Sequence, residues 1–174
     1  TVPIPAHGTP AEPILSATLQ LAAGDNISAV AFLNADGDPA LTAFANDDSE
    51  IAAGEARLVV RHMAKAPAVD IVANGSIVLI EGLTNPNEGK VDVAAGTYAV
   101  TVNAAGTDTV AFDAGDVTLP EGESTIIYAV GDLDGGTFGL LAQSVELPVA
   151  AAPVDTNSEL TVIHGIPGLT VDVY

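Results

Sequence analysis

Short apolar or alternating runs recur along the chain, each bounded by Gly, Asn, Asp or Pro: ILSATLQL, ISAVAFL, ARLVVRH, AVDIVANG, SIVLIEG, GTYAVTV, TIIYAVG, LTVIHG and LTVDVY. A period of two over so few residues is the mark of a β-strand, because successive side chains on a strand point to opposite faces. Strands at this spacing, with turn residues between them, predict a β-sandwich. Asn74-Gly75 lies between VDIVA and SIVLI, where a two-residue turn with positive φ makes a hairpin. No segment sustains helical periodicity over several turns.

The runs also repeat one another. LQLAAGDNISAVAFLNADGDPALTAF, from Leu19, aligns without a gap on VTLPEGESTIIYAVGDLDGGTFGLLA, from Val117, at an offset of 98. RLVVRHMAKAPAVDIV aligns on LTVIHGIPGLTVDVY at an offset of 102, which sets His164 on His62. One unit of about 100 residues is therefore expected more than once. Residues 1–54 read as the back half of a sandwich repeat, 57–148 as a complete repeat and 159–174 as the front strands of a repeat. The Pro- and Ala-rich stretch 149–158 reads as a linker. The expected fold is all-β: two immunoglobulin-like or transthyretin-like antiparallel β-sandwich domains in tandem. The outer one is expected to be built from permuted or exchanged halves, residues 159–174 completing a sandwich with residues 1–54 of the same or a neighbouring chain.

Composition narrows the function. The chain has 23 acidic residues and four basic ones, for a formal net charge of −19. The four are Arg57, Arg61, Lys65 and Lys90. Such a surface repels phosphate backbones and anionic headgroups, so neither nucleic acid nor a membrane surface is expected as a partner. No apolar run approaches the roughly 20 residues that span a bilayer, and membrane insertion is not expected. Aromatic residues make up 4% and Trp is absent, which disfavours an aromatic-lined ligand pocket. Cysteine is absent, so neither a disulfide framework nor thiol chemistry is available.

The run ARLVVRHMAKAPAVDIVANG, followed by AAGTYAVTV, LPEGESTIIYAVG and GLLAQSVEL, resembles the bacterial domain of unknown function 4397, seen in secreted and cell-surface proteins, notably of actinobacteria. His62, Pro67, Asp70, Asn74 and Gly75 carry the resemblance in the complete copy; His164, Pro167 and Asp172 carry it in the last fragment, with the Pro shifted. The resemblance implies a small β-sandwich, commonly in tandem, outside the cell. It implies no catalytic residues.

Candidate chemistry is sparse. His62 and His164 each precede an Asp by eight residues, Asp70 and Asp172. A His–Asp pair suits a general base or half a metal site, but no third group recurs at a matching spacing, and the pairs are expected to be structural. Asn34 and Asp36 align on Asp132 and Asp134, and Asp38 on Gly136, with oxygen ligands at alternate residues, as at the start of a calcium loop. The distal bidentate Glu is missing, so these stretches read first as turns and second as weak calcium sites. No other cofactor and no enzymatic activity are expected.

The functional expectation is a secreted structural or assembly protein, a subunit or segment of an extracellular filament or cell-surface stalk, self-associating into a homopolymer or cell-surface array. Its assembly residues would be Leu160, Val162, Val171, Val173 and Tyr174, on the strands of the front fragment. Two alternatives stand beside it: an adhesin-like binding module with weak calcium sites, and a segment of a longer covalent tandem-repeat protein.

Overall fold

In a computed structural model, the structure describes residues 2–4, 15–147 and 159–164. Thirteen strands run in chain order: β1 (Val2–Ile4), β2 (Leu15–Ala17), β3 (Asn26–Leu33), β4 (Pro39–Ala45), β5 (Glu55–Lys65), β6 (Val69–Ala73), β7 (Ile77–Leu83), β8 (Glu88–Ala94), β9 (Gly96–Ala104), β10 (Val110–Leu119), β11 (Glu123–Asp132), β12 (Gly139–Glu146) and β13 (Glu159–His164). No helix occurs among the described residues. The all-β expectation is met.

Strands β5 to β12 form two four-stranded sheets facing each other. The outer sheet has the order β10-β9-β6-β7 and the middle sheet β12-β11-β5-β8. Alternate residues of each sheet point into one aliphatic core, Ala56, Leu58, Val60 and Ile127 from the middle sheet meeting Val69, Ile71, Val100, Val102 and Leu119 from the outer one. The strands of this sandwich span Glu55 to Glu146. A third sheet, β13-β3-β4, covers the other face of the middle sheet. There Val30 and Phe32 pack on Val59, Met63, Ile126, Tyr128 and Val130. On the far face of the third sheet, Leu15 of the β1-β2 ribbon packs near Ala31, Leu33 and Leu41. The described residues thus stack in four layers.

This stacking explains two runs that do not alternate. From Ala56 to Ala64 every residue of β5 is buried, and from Ser124 to Val130 every residue of β11 is. Both strands are central in a sheet buried on both faces, where polar positions at period two would be stranded from water. RLVVRH and TIIYAV are the sequence trace of a three-layer interior.

Two strand pairings share a register. β5 and β11 pair in parallel with Arg57 opposite Ser124. β13 and β3 pair in parallel with Glu159 opposite Asn26. Offsets of 102 and 98 carry the first pair onto the second. Val30 and Phe32, which face the middle sheet, align at the same offset on Tyr128 and Val130, which face the third. The two sheets meet through equivalent faces, as in a pseudo-two-fold interface.

Two sequence details need correction. The gapless alignment fails across the β11–β12 turn: Phe32 pairs with Ala40, whereas Val130 pairs with Gly139, one residue later than the offset of 98 requires. Asp132 still pairs with Thr137 in the same register, so the extra residue lies in the turn, four residues at 133–136 against three at 35–37. The Asn74-Gly75 hairpin has positive φ at both residues, 50° and 75°, but Ser76 also lies in the loop, since Ala73 pairs with Ile77.

Candidate functional site

Arg57, Arg61 and Lys65 stand four residues apart on β5, so the pleat points all three to one face, the face covered by the third sheet. Lys90 lies beside them on β8, opposite Val59. In a chain with 23 acidic residues, all four cations are gathered at the joint between two sheets.

Arg61 is the centre of the joint. It is 1% exposed, and its guanidinium is fully engaged: Nε donates to Glu88 Oε2 at 2.9 Å, Nη1 to the Tyr128 hydroxyl at 2.8 Å and Nη2 to Asn46 Oδ1 at 2.9 Å. Its Cζ lies 4.5 Å from the centre of the Phe44 ring and 5.3 Å from that of Tyr128, both within cation–π range. Tyr128 passes the hydrogen bond on to Gln143 Oε1 at 2.7 Å, and Gln143 Nε2 donates to Thr161 Oγ1 at 3.0 Å. One continuous chain of donors and acceptors thus runs from β5 through β11 and β12 of the middle sheet into β13 of the third. Ser28 joins it by donating to Asn46 Oδ1 at 3.0 Å. A planar fork with five donors can satisfy such a set, and a lysine cannot.

The other three cations tie down the loops around this centre. Arg57 grips its cross-strand partner Asp92 through two hydrogen bonds, of 2.8 and 3.0 Å, and pairs with Asp47 at 3.0 Å. Lys90 pairs with Asp47 from the other side. Lys65 reaches Asp132 at 3.0 Å. Asn85 Nδ2 donates to the carbonyls of both Leu33 and Ala64, stitching the β7–β8 loop to β3 and β5. The charges respond accordingly. Hydrogen bonds from Lys90 and then Ser49 hold the Asp47 carboxyl well below the usual range, and the bond to Arg57 lowers Asp92. Asp132 is lowered by the Gly135 amide first and Lys65 second.

The predicted His–Asp pair is not brought together. His62 is completely buried, its Nε2 lies 2.9 Å from the Pro67 carbonyl oxygen, and its Nδ1 has no hydrogen-bond partner among the described residues. Burial pushes its pKa down, the bond to Pro67 opposing. Asp70 instead spends one carboxylate oxygen on the amide of Gly82 at 2.7 Å and the other on that of Gly106 at 2.8 Å. Each residue shapes a loop on its own.

The calcium candidates lie in two turns, where the oxygens of Asn34 and Asp132 serve the turn itself or Lys65. Asn34 Oδ1 accepts the amides of Asp36 at 3.0 Å and Asp38 at 2.8 Å. Asp132 Oδ1 accepts the Gly135 amide at 3.0 Å while Oδ2 holds Lys65. Asp134 is exposed in the same turn. Among the described residues, no three His, Cys, Asp or Glu side chains are grouped to hold a metal. Of the predicted assembly residues, Leu160 and Val162 lie on β13, opposite Ile27 and Ala29, with His164 at the end of that strand. Val171, Asp172, Val173, Tyr174 and the linker 149–158 lie outside the described residues. The sequence reading missed the cation cluster altogether; the spacing of Arg57, Arg61 and Lys65 along one strand face was its only signal.

A family model described as a domain of unknown function (DUF4397) matches residues 1–72. The match includes His62 and Asp70 but not His164. It crosses from the third sheet into the sandwich and so does not coincide with the repeat at 57–148. Among solved structures, the chain is similar to the C-terminal domain of AlgF from P. aeruginosa, at 17% identity and a TM-score of 0.41, over 53% of this chain and 99% of that domain. No curated protein matches.

Proposed function

We propose that the protein is a secreted structural module, a segment of an extracellular stalk or filament in which tandem immunoglobulin-like β-sandwiches are held at fixed orientation. The observation that carries this reading is the joint. Buried Arg61, with a network of Tyr, Gln, Asn, Ser and Thr, bridges the two sheet faces, while Arg57, Lys65 and Lys90 tie down the strands and loops around it. A protein whose work is catalysis gathers titratable groups in an open cleft; here the two arginines are buried between layers. Interlocked polar networks of this kind fix one relative arrangement of two faces, which a stalk or filament needs and a flexible tether does not. Self-association through sheet edges would extend such a stack, and the excess negative charge keeps its outer surfaces apart from one another.

The test is the state of the natively purified protein, by electron microscopy together with intact mass under denaturing conditions. Rods or chains of layered particles are expected, from noncovalent assembly if the mass is 17.4 kDa and from a longer chain if it is greater. A monodisperse monomer of 17.4 kDa at every concentration would refute the structural reading. In that case the adhesin-like alternative would lead.

A further inference from the structure

Two tripeptides of the chain have the form Asn-x-Ser, Asn26-Ile27-Ser28 and Asn74-Gly75-Ser76, and none has the form Asn-x-Thr. Both match the acceptor pattern for N-linked sugar transfer, in which the Asn side-chain nitrogen receives the sugar. Whether an enzyme can reach such a tripeptide is decided by the fold, and here the fold separates the two.

The first is locked into the joint. Asn26 opens β3 and its Oδ1 accepts Asn46 Nδ2, while Ser28 is completely buried and donates to Asn46 Oδ1. β3 is also paired on both sides, with β4 and with β13. The second stands clear of the layers. Asn74, Gly75 and Ser76 are the three loop residues of the β6–β7 hairpin, all are exposed, and β7 is an edge strand. Asn74 sits at φ 50°, its backbone N–H donating to the Ala99 carbonyl at 2.7 Å and its Oδ1 accepting the Ala99 amide at 3.1 Å. An N–H donor must meet the oxygen of the carboxamide, so this bond fixes which end faces the protein. Nδ2 is left without a hydrogen bond among the described residues. A sugar on Nδ2 keeps Oδ1 as a carbonyl oxygen, and the bond to Ala99 survives the modification.

The residues that follow supply a second, independent observation. Ile77 and Val78, at the head of β7, are 50% and 54% exposed. β7 reads IVLIEGL, with Glu81 its one charged residue, and no strand among the described residues is bonded to its outer edge. An apolar edge of this kind pairs with other chains unless something charged or bulky stands over it.

From this arrangement we infer that Asn74 carries an N-linked glycan, which stands at the head of the β7 edge and covers Ile77 and Val78. The donor class is an oligosaccharide held on a lipid pyrophosphate. Nδ2 forms the bond to the anomeric carbon as the bond from that carbon to the pyrophosphate oxygen breaks. The lipid pyrophosphate leaves with the electron pair, and Nδ2 gives up one proton. The inference rests on the extracellular reading above, because the acceptor pattern is used in secreted proteins.

The experiment is peptide mapping by mass spectrometry of the natively purified full chain. Beside it, a chain made without sugar is folded and offered a lipid-linked oligosaccharide and an oligosaccharyltransferase in vitro. A glycopeptide containing Asn74 is expected in both, with Asn26 bare in both. Ser76→Ala keeps Asn74 and its two bonds to Ala99 and is expected to abolish the glycan, whereas Ser76→Thr is expected to retain it. A bare Asn74 in the native protein, a glycan on Asn26, or a mass increment that persists in Ser76→Ala would each overturn the assignment. If native Asn74 is bare yet accepts sugar in vitro, the extracellular reading has failed; if it also refuses sugar in vitro, the site has. Rods or monomers are read separately by microscopy, so the filament and the glycan fail independently.

Discussion

Arg61 is a charged residue almost wholly removed from water, and it survives there because each side of its guanidinium has a partner. Replacing it by lysine keeps the charge but strands Tyr128 and Asn46 and leaves space between Phe44 and Tyr128. The expected cost is about 1–3 kcal/mol, read as a lowered denaturation midpoint with an unchanged slope. His62 makes a second prediction. Its folded pKa lies below the unfolded value of about 6.5, so the unfolded chain takes up the proton first and stability falls as pH drops from about 7 to 5. His62→Gln is expected to flatten that slope in thermal melts. A further loss, from the lowered carboxyls of Asp47 and Asp92, begins only below about pH 4 and stays in the variant. At this scale the sequence was only partly legible. The eight-residue spacing of His62 and Asp70 suggested a pair, yet their side chains serve different loops, because spacing along a chain does not say which way a bulged hairpin turns its residues.

Strands were the easiest elements to read. The runs SIVLIEG and GTYAVTV located β7 and β9, and the unbroken apolar runs located β5 and β11, although those runs alone do not tell a strand buried on two faces from one buried on a single face; β8 lay outside every run. Only the third sheet, lying across Val59 and Tyr128, explains them. Turns were legible where one residue type dictates the backbone, as at Asn74-Gly75, and illegible where a loop gains a residue without changing the strands. The β11–β12 turn is the example, and it predicts its own sensitivity. A Cβ at Gly131 would collide with the Thr137 carbonyl, and the residue's φ of 89° is strained for any other side chain. Gly131→Ala is expected to destabilise by about 1–3 kcal/mol, measured by chemical denaturation. Gly136→Ala in the same turn meets no neighbouring atom and so bears only the backbone penalty at φ 70°, which makes it the milder of the two.

For the molecule as a whole, the internal offsets carried the most information. They set Glu159 on Arg57 and Asn26 on Ser124, and the parallel β13–β3 pair keeps that register. What they did not convey is that equivalent faces meet. Only a side-chain-level view shows Val30 and Phe32 against Tyr128 and Val130, with Arg61 clamped between the sheets by partners from β4, β8 and β11 or their adjoining loops. The account makes the joint one cooperative unit with the sandwich, which is a claim about how the layers melt. Differential scanning calorimetry of the full chain tests it most directly. A single transition whose calorimetric and van't Hoff enthalpies agree is expected, because β3, β4 and β13 cannot leave without exposing the middle sheet and unpairing Arg61. Two separate transitions, with the third sheet lost before the sandwich, would contradict it.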